Sequence, residues 1–69
     1  MRRYQDILRE LREDRGYTQT DIAKHLGTTQ QVYSRYETGE NEIPVRYIIA
    51  LSKFYGVSAD YLLGLSSEF

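Results

Sequence analysis

Three polar side chains have types and spacing suited to hydrogen bonding with the edges of nucleic-acid bases. Gln30 and Gln31 are adjacent, and Arg35 follows Gln31 by one helical turn. A glutamine amide can pair with adenine N6 and N7 in the major groove. An arginine guanidinium can bind guanine O6 and N7, or only phosphate. The alternative is that all three are solvated surface groups, and composition alone favours this for the glutamines. The elements that carry these residues decide between the two interpretations.

The neighbouring residues extend this polar segment. Val32 can contact a thymine methyl group or pack against the preceding helix, and both interpretations stay open. Ser34 and Thr38 offer hydroxyl groups to phosphate, while Thr29 suits a helix N-cap that can also reach phosphate. The segment 28–36 contains Arg35 and no acidic residue. This part of the chain therefore presents a face without negative charge.

Five short helices are predicted to position this segment. Apolar residues recur at helical spacing, and no alternating strand pattern or hairpin turn occurs. Thr18, Thr29 and Ser58 are suitable N-cap residues. The expected helices span about 3–14, 18–26, 29–38, 44–55 and 58–64. The sequence thus predicts a single domain over residues 1–69, an all-α, compact five-helix bundle.

The second and third helices, at about 18–38, form the most informative unit. Only Gly27 and Thr28 separate them, and so short a connection makes two helices cross steeply. Ala23 is small where the third helix would pack, and Gly27 can adopt the left-handed conformation that such a turn needs. These features predict a helix-turn-helix, in which the second helix of the pair enters the DNA major groove.

Composition excludes several classes of function. The 69-residue chain has no cysteine and a single histidine, His25, so disulfides, thiolate sites and histidine-based zinc clusters are not expected. No nucleophile–base pair or phosphate-binding glycine loop is apparent, and we expect no enzyme activity, catalytic residue, metal or cofactor. The longest apolar run, Ile48–Leu51, is too short for a membrane span or a secretory signal. We therefore expect a cytoplasmic protein with no membrane or small-molecule partner.

The charge distribution keeps two functions open. Nine basic and ten acidic residues give a net charge of −1, which is unusual for a nucleic-acid-binding protein because phosphate neutralisation usually dominates affinity. The segment 37–42 holds three acids and no base, directly after the acid-free segment 28–36. One candidate is a DNA-binding domain; the other is a protein-interaction module on the same scaffold, such as an antitoxin-like or anti-repressor partner.

A set of residues at fixed spacing runs through most of the chain. They are Thr18-Gln19, Ile22-Ala23, Leu26-Gly27, Thr29-Gln30-Gln31, Tyr36-Glu37, Gly39, Pro44, Val57 and the stretch SADYLLG at 58–64. With this set, over about residues 4–65, the chain resembles the phage repressor/Cro family of helix-turn-helix regulators, also called the XRE family. The whole spacing carries the resemblance, because no single dipeptide in it is specific.

The resemblance implies binding to double-stranded DNA and assigns roles along the unit. It implies base contacts from Gln30 and Gln31. It also implies that Gln19, at the start of the second helix, holds a phosphate, where free backbone N–H groups and the helix dipole favour an anion. Thr18, directly before Gln19, is a further phosphate candidate. The loop after the third helix lies near phosphate in the family, which makes Asn41 a further phosphate candidate.

Two positions depart from the family pattern. Tyr33 stands where the family usually has Ile, Val or Leu, and its hydroxyl then needs a partner or a route to solvent. Glu40-Asn41-Glu42 stands where many members have Lys or Arg. Acidic residues near phosphate should weaken binding to the DNA backbone.

The resemblance further implies an ion pair between Arg12 and Glu37. This pair would be structural, because it links the first helix to the end of the third and holds the recognition helix in place. If the pair is buried, removal of one partner leaves the other charge without compensation.

Together these expectations describe a sequence-specific transcription regulator, and specifically a repressor that occupies an operator. One copy offers few phosphate contacts, so tight binding implies a homodimer on a pseudo-palindromic operator with half-sites about 34 Å apart. Leu63, Leu65 and Phe69 exceed what a five-helix core can bury and form the expected dimer surface, although a frayed tail is the alternative. A nucleoid-associated location would follow from DNA binding.

Overall fold

The computed structural model describes residues 2–67 as five α-helices connected by short turns. The helices are α1 (Tyr4–Asp14), α2 (Gln19–Leu26), α3 (Gln30–Thr38), α4 (Val45–Tyr55) and α5 (Ala59–Leu62). No strand occurs within this range. The predicted all-α class is confirmed, and within residues 2–67 no helix is long and apolar enough to cross a membrane.

Side-chain caps fix where three of the helices begin. The Thr18 hydroxyl accepts from the Asp21 N–H while the Asp21 carboxylate accepts from the Thr18 N–H, which is a complete capping box. Thr29 accepts from the Val32 N–H, and Ser58 accepts from the Tyr61 N–H. Each cap satisfies a backbone donor that has no partner within the helix.

The fifth helix is shorter than the expected span of 58–64. Ser58 is its N-cap, as the sequence predicts, and the helix ends at Leu62. The chain then turns, because Gly64 has a φ of +80° and the Leu65 N–H bonds back to the Asp60 carbonyl at 2.9 Å. This left-handed turn closes α5 after little more than one helical turn.

All five helices contribute to one hydrophobic core. The largest fully buried side chains come one from each helix: Leu8, Ile22, Tyr33, Leu51 and Leu62. Because α3 buries Tyr33 and Tyr36 against this core, its opposite face is directed to solvent. The core thus fixes the orientation of the helix that carries the candidate site residues.

Gly64 is expected to tolerate alanine less well than Gly56. Both have positive φ, which costs a non-glycine residue about 1–2 kcal/mol. A Cβ on Gly56 would meet no atom within 4 Å, whereas a Cβ on Gly64 would lie 2.6 Å from the Arg2 carbonyl oxygen. Urea unfolding should therefore show a larger loss for Gly64→Ala than for Gly56→Ala, and equal losses would contradict this close approach.

Candidate nucleic-acid interface

A tight turn sets the angle between α2 and α3. Gly27 has a φ of +78°, and the Thr28 N–H donates to the Ala23 carbonyl at 2.9 Å. Thr29 then caps α3 at once. Ala23 is buried in the core, where a larger side chain would hold the helices apart. The chain thus builds the predicted helix-turn-helix from a left-handed glycine, a small buried residue and an N-cap.

The two faces of α3 differ sharply in polarity. Tyr33, Tyr36 and Glu37 are buried on its inner side. Gln30, Gln31 and Arg35 are exposed. Hydrogen-bonding side chains therefore project into solvent from a helix whose other face is anchored in the core.

The other predicted contact residues fall into two groups. Val32 and Ser34 are half-buried, and Val32 packs against the core, which leaves it only partly available to a ligand. The exposed group is Thr18, Thr29, Thr38 and Asn41. The Thr38 hydroxyl donates to the Arg35 carbonyl at 3.2 Å, so its hydrogen already has an acceptor.

The Gln19 side chain connects the surface of α3 to the interior. Its carbonyl oxygen accepts from Gln30 Nε2 at 2.6 Å, and its own Nε2 donates to Glu37 Oε1 at 3.1 Å. Both polar ends of the amide are therefore occupied by protein groups. The sequence placed Gln19 at the start of α2 but gave no indication of this link, because the link depends on how α2 and α3 cross.

Arg12 and Glu37 form a two-point ion pair in the interior. Arg12 Nε lies 2.8 Å from Glu37 Oε2 and Arg12 Nη2 lies 3.1 Å from Glu37 Oε1. Arg12 Nη1 also donates to the Tyr17 carbonyl at 2.9 Å. The hydrogen bonds that Arg12 donates to Glu37 raise the pKa of Arg12, although burial acts against this. The pair ties α1 to the last turn of α3, where the family resemblance placed it.

Two tyrosine hydroxyls are buried near this pair. Tyr33 has no exposed surface and Tyr55 retains 4%. Neither hydroxyl oxygen has a hydrogen-bond partner among the described residues. Burial raises the pKa of both, and the negative charge of Glu37 raises it further. The unusual Tyr33 thus fills a core position without a solvent route, and its hydroxyl is close enough to Glu37 to feel that carboxylate but makes no hydrogen bond of good geometry to it.

The turn after α3 is acidic and touches the exposed face of that helix. Glu40 Oε2 lies 3.2 Å from Arg35 Nε, and both side chains are exposed. Glu42 is exposed in the same turn. Glu40, one of the acidic residues noted in the sequence, therefore lies directly beside the candidate contact surface.

Between residues 2 and 67, no group of three or more potential ligands is arranged to hold a metal ion. The candidate surface consists of amide, guanidinium and hydroxyl groups, which bind by hydrogen bonding and charge. A short helix pair that presents such a surface on its second helix defines a class of protein, the helix-turn-helix domains.

Comparison with known proteins agrees with this class. The family model described as helix-turn-helix matches residues 8–62, and the chain belongs to this family, in its Cro/C1 or XRE branch. The family membership predicted from the sequence is confirmed. The relatives that match the chain include proteins named as transcriptional regulators.

Two relatives from Bacillus subtilis strain 168 illustrate the similarity. The SPbeta prophage-derived HTH-type transcriptional regulator YonR is 40% identical over 63 residues, which is 90% of this chain and 58% of that protein. The HTH-type transcriptional regulator ImmR is 39% identical over 57 residues, covering 83% of this chain and 45% of that protein. The chain thus spans only about half the length of these relatives.

Two solved structures share the fold. One is the P22 c2 repressor protein in complex with a synthetic operator, with a TM-score of 0.84 and 27% identity over 96% of this chain and 100% of that one. The other is a transcriptional regulator from Listeria innocua, with a TM-score of 0.87 and 24% identity over 97% of this chain and 63% of that one. The second likeness concerns the fold alone.

Proposed function

We propose that this chain binds double-stranded DNA sequence-specifically through α3 and regulates transcription, as a repressor that occupies its operator. The observation that carries the proposal is the exposed polar row of α3, formed by Gln30, Gln31 and Arg35, opposite a face buried in the core. The repressor–operator complex with the same fold and the regulators among the relatives support it.

Base recognition is assigned to the start and middle of α3. Gln30 is held by Gln19, which orients its amide before DNA arrives and lowers the entropy lost on binding. Gln31 and Arg35 are one turn apart and offer an adenine-reading amide and a guanine-reading guanidinium. Val32 contributes at most a methyl contact to thymine, since it also packs against the core.

Phosphate contacts are assigned to residues around this row. The candidates are Thr18, Gln19, Thr29, Ser34, Thr38 and Asn41. Because the Gln19 amide already bonds Gln30 and Glu37, its contribution to a phosphate comes from the backbone N–H in the first turn of α2. These contacts position the helix on DNA and carry no sequence information.

A homodimer on a pseudo-palindromic operator completes the proposal. The chain has a net charge of −1, so one copy gains little DNA affinity from phosphate neutralisation. Simultaneous binding of two linked copies to two half-sites makes up for this weak affinity. Leu63 and Leu65 are exposed by 38% and 63% and supply the apolar surface for this contact. Phe69, the third residue of the predicted surface, lies outside the described residues.

Selection from a random duplex library tests the proposal. We expect the wild-type protein to enrich an inverted repeat, with binding that falls steeply as salt rises. The variant Gln30→Ala/Gln31→Ala/Arg35→Ala should lose this enrichment while its circular dichroism stays helical. Arg9→Ala is the control, because it removes an exposed positive charge from α1 and should leave the selected sequence unchanged.

Two other outcomes of the selection would change the proposal. Enrichment of a single half-site would remove the dimer and leave the DNA-reading role. No enrichment by folded wild-type protein at low salt would reject the proposal in favour of a protein-interaction module.

A further inference from the structure

Arg35 has a protein partner in the DNA-free molecule. Its Nε lies 3.2 Å from Glu40 Oε2, and the two side chains are 51% and 67% exposed. Arg35 is the charged residue among those assigned to base contact, and the Glu40 carboxylate forms an ion pair with it. The contact lies on the face that would meet DNA.

The turn after α3 is built so that Glu40 reaches Arg35. Gly39 ends the helix in the left-handed conformation, with a φ of +86°. The Thr38 hydroxyl donates to the Arg35 carbonyl at 3.2 Å and accepts from the Glu40 N–H at 3.3 Å. The Asn41 N–H also donates to the Arg35 carbonyl at 3.2 Å. Two hydrogen bonds to the Arg35 carbonyl thus hold the turn close to Arg35, where the Glu40 side chain can contact the guanidinium.

We propose that Glu40 competes with DNA for the Arg35 guanidinium and thereby lowers the DNA affinity of the domain. In the free protein the carboxylate occupies the Nε side of Arg35. A phosphate or guanine edge that approaches Arg35 must displace this carboxylate and meets its negative charge. The proposal rests on the proposed function, because it names the residue that limits binding at the same surface.

Glu42 separates this mechanism from a general effect of charge. It lies two residues further along the turn and is exposed, but it makes no ion pair within residues 2–67. Removal of either carboxylate lowers repulsion of phosphate by a similar amount. Only removal of Glu40 also frees Arg35.

A double-mutant cycle with a random-sequence duplex at low salt tests the proposal. Glu40→Gln should strengthen binding roughly two- to fivefold, as release of an exposed ion pair allows. In the Arg35→Ala background the same change should give less than about half of that gain, because no guanidinium is left to release. Glu42→Gln should give a smaller gain that is equal in both backgrounds.

Each result decides between the possibilities. A loss of the Glu40→Gln gain in the Arg35→Ala background supports competition for Arg35. Equal gains in both backgrounds, no gain, or a Glu42→Gln effect of the same size would overturn it while leaving DNA binding intact. If folded wild-type protein and variants all fail to bind any duplex, the proposed function falls and this inference falls with it.

Discussion

Arg12→Met is expected to lower the free energy of unfolding by about 3–5 kcal/mol, because it leaves Glu37 buried without its counter-charge. Glu37 is 7% exposed, and the described hydrogen bond that remains to its carboxylate comes from Gln19. Domains of this length have a total stability of only about 3–10 kcal/mol. A loss of this size therefore removes a large share of the stability of the domain.

Urea unfolding followed by circular dichroism measures this loss. Arg9→Met is a matched control on the same helix, since Arg9 is exposed, and it should change stability by less than about 0.5 kcal/mol. The double variant Arg12→Met/Glu37→Leu should recover much of the loss, because no isolated charge is then buried. A loss below about 0.5 kcal/mol for Arg12→Met would mean that solvent screens the pair.

Above about pH 10, stability should fall steeply with pH. The pKa of both Tyr33 and Tyr55 is raised in the folded state by burial and by Glu37, while the unfolded chain ionises its tyrosines near pH 10. Folded protein then binds more protons than unfolded protein, so stability is full below this pH and is lost above it. Each tyrosine contributes a slope of about 1.4 kcal/mol per pH unit, or about 2.7 together.

Urea midpoints measured between about pH 8 and pH 12 test this dependence. Tyr33→Phe/Tyr55→Phe should remove most of the slope and cost little at neutral pH, because neither hydroxyl bonds a described residue. Tyr17→Phe, on an exposed ring, should keep the slope. A double variant with unchanged alkaline unfolding would show that other groups control it.

Local chemistry made most of the fold predictable. Thr18, Thr29 and Ser58 cap their helices, and the left-handed Gly27 joins α2 to α3. Each of these depends on a backbone conformation or a hydrogen bond within a few residues. The C-terminal end of the fifth helix was less predictable, because the turn at Gly64 that follows it packs against Arg2, far away in sequence.

The links within the candidate site were less predictable. The family resemblance indicated the Arg12–Glu37 pair, but the Gln30–Gln19–Glu37 connection requires the crossing geometry of two helices. The contact between Arg35 and Glu40 likewise depends on the turn that follows α3. Residue types and spacing show which groups are present, whereas long side chains choose partners only after the helices have packed.

The hydrogen bonds that Arg12 donates limit which substitutions positions 12 and 37 can accept during evolution. Three guanidinium nitrogens are used, two on Glu37 and one on the Tyr17 carbonyl. Lysine carries the same charge on a single nitrogen and cannot reproduce this geometry. Positions 12 and 37 should therefore co-vary among homologues, since a lineage that loses one charge gains by losing the other.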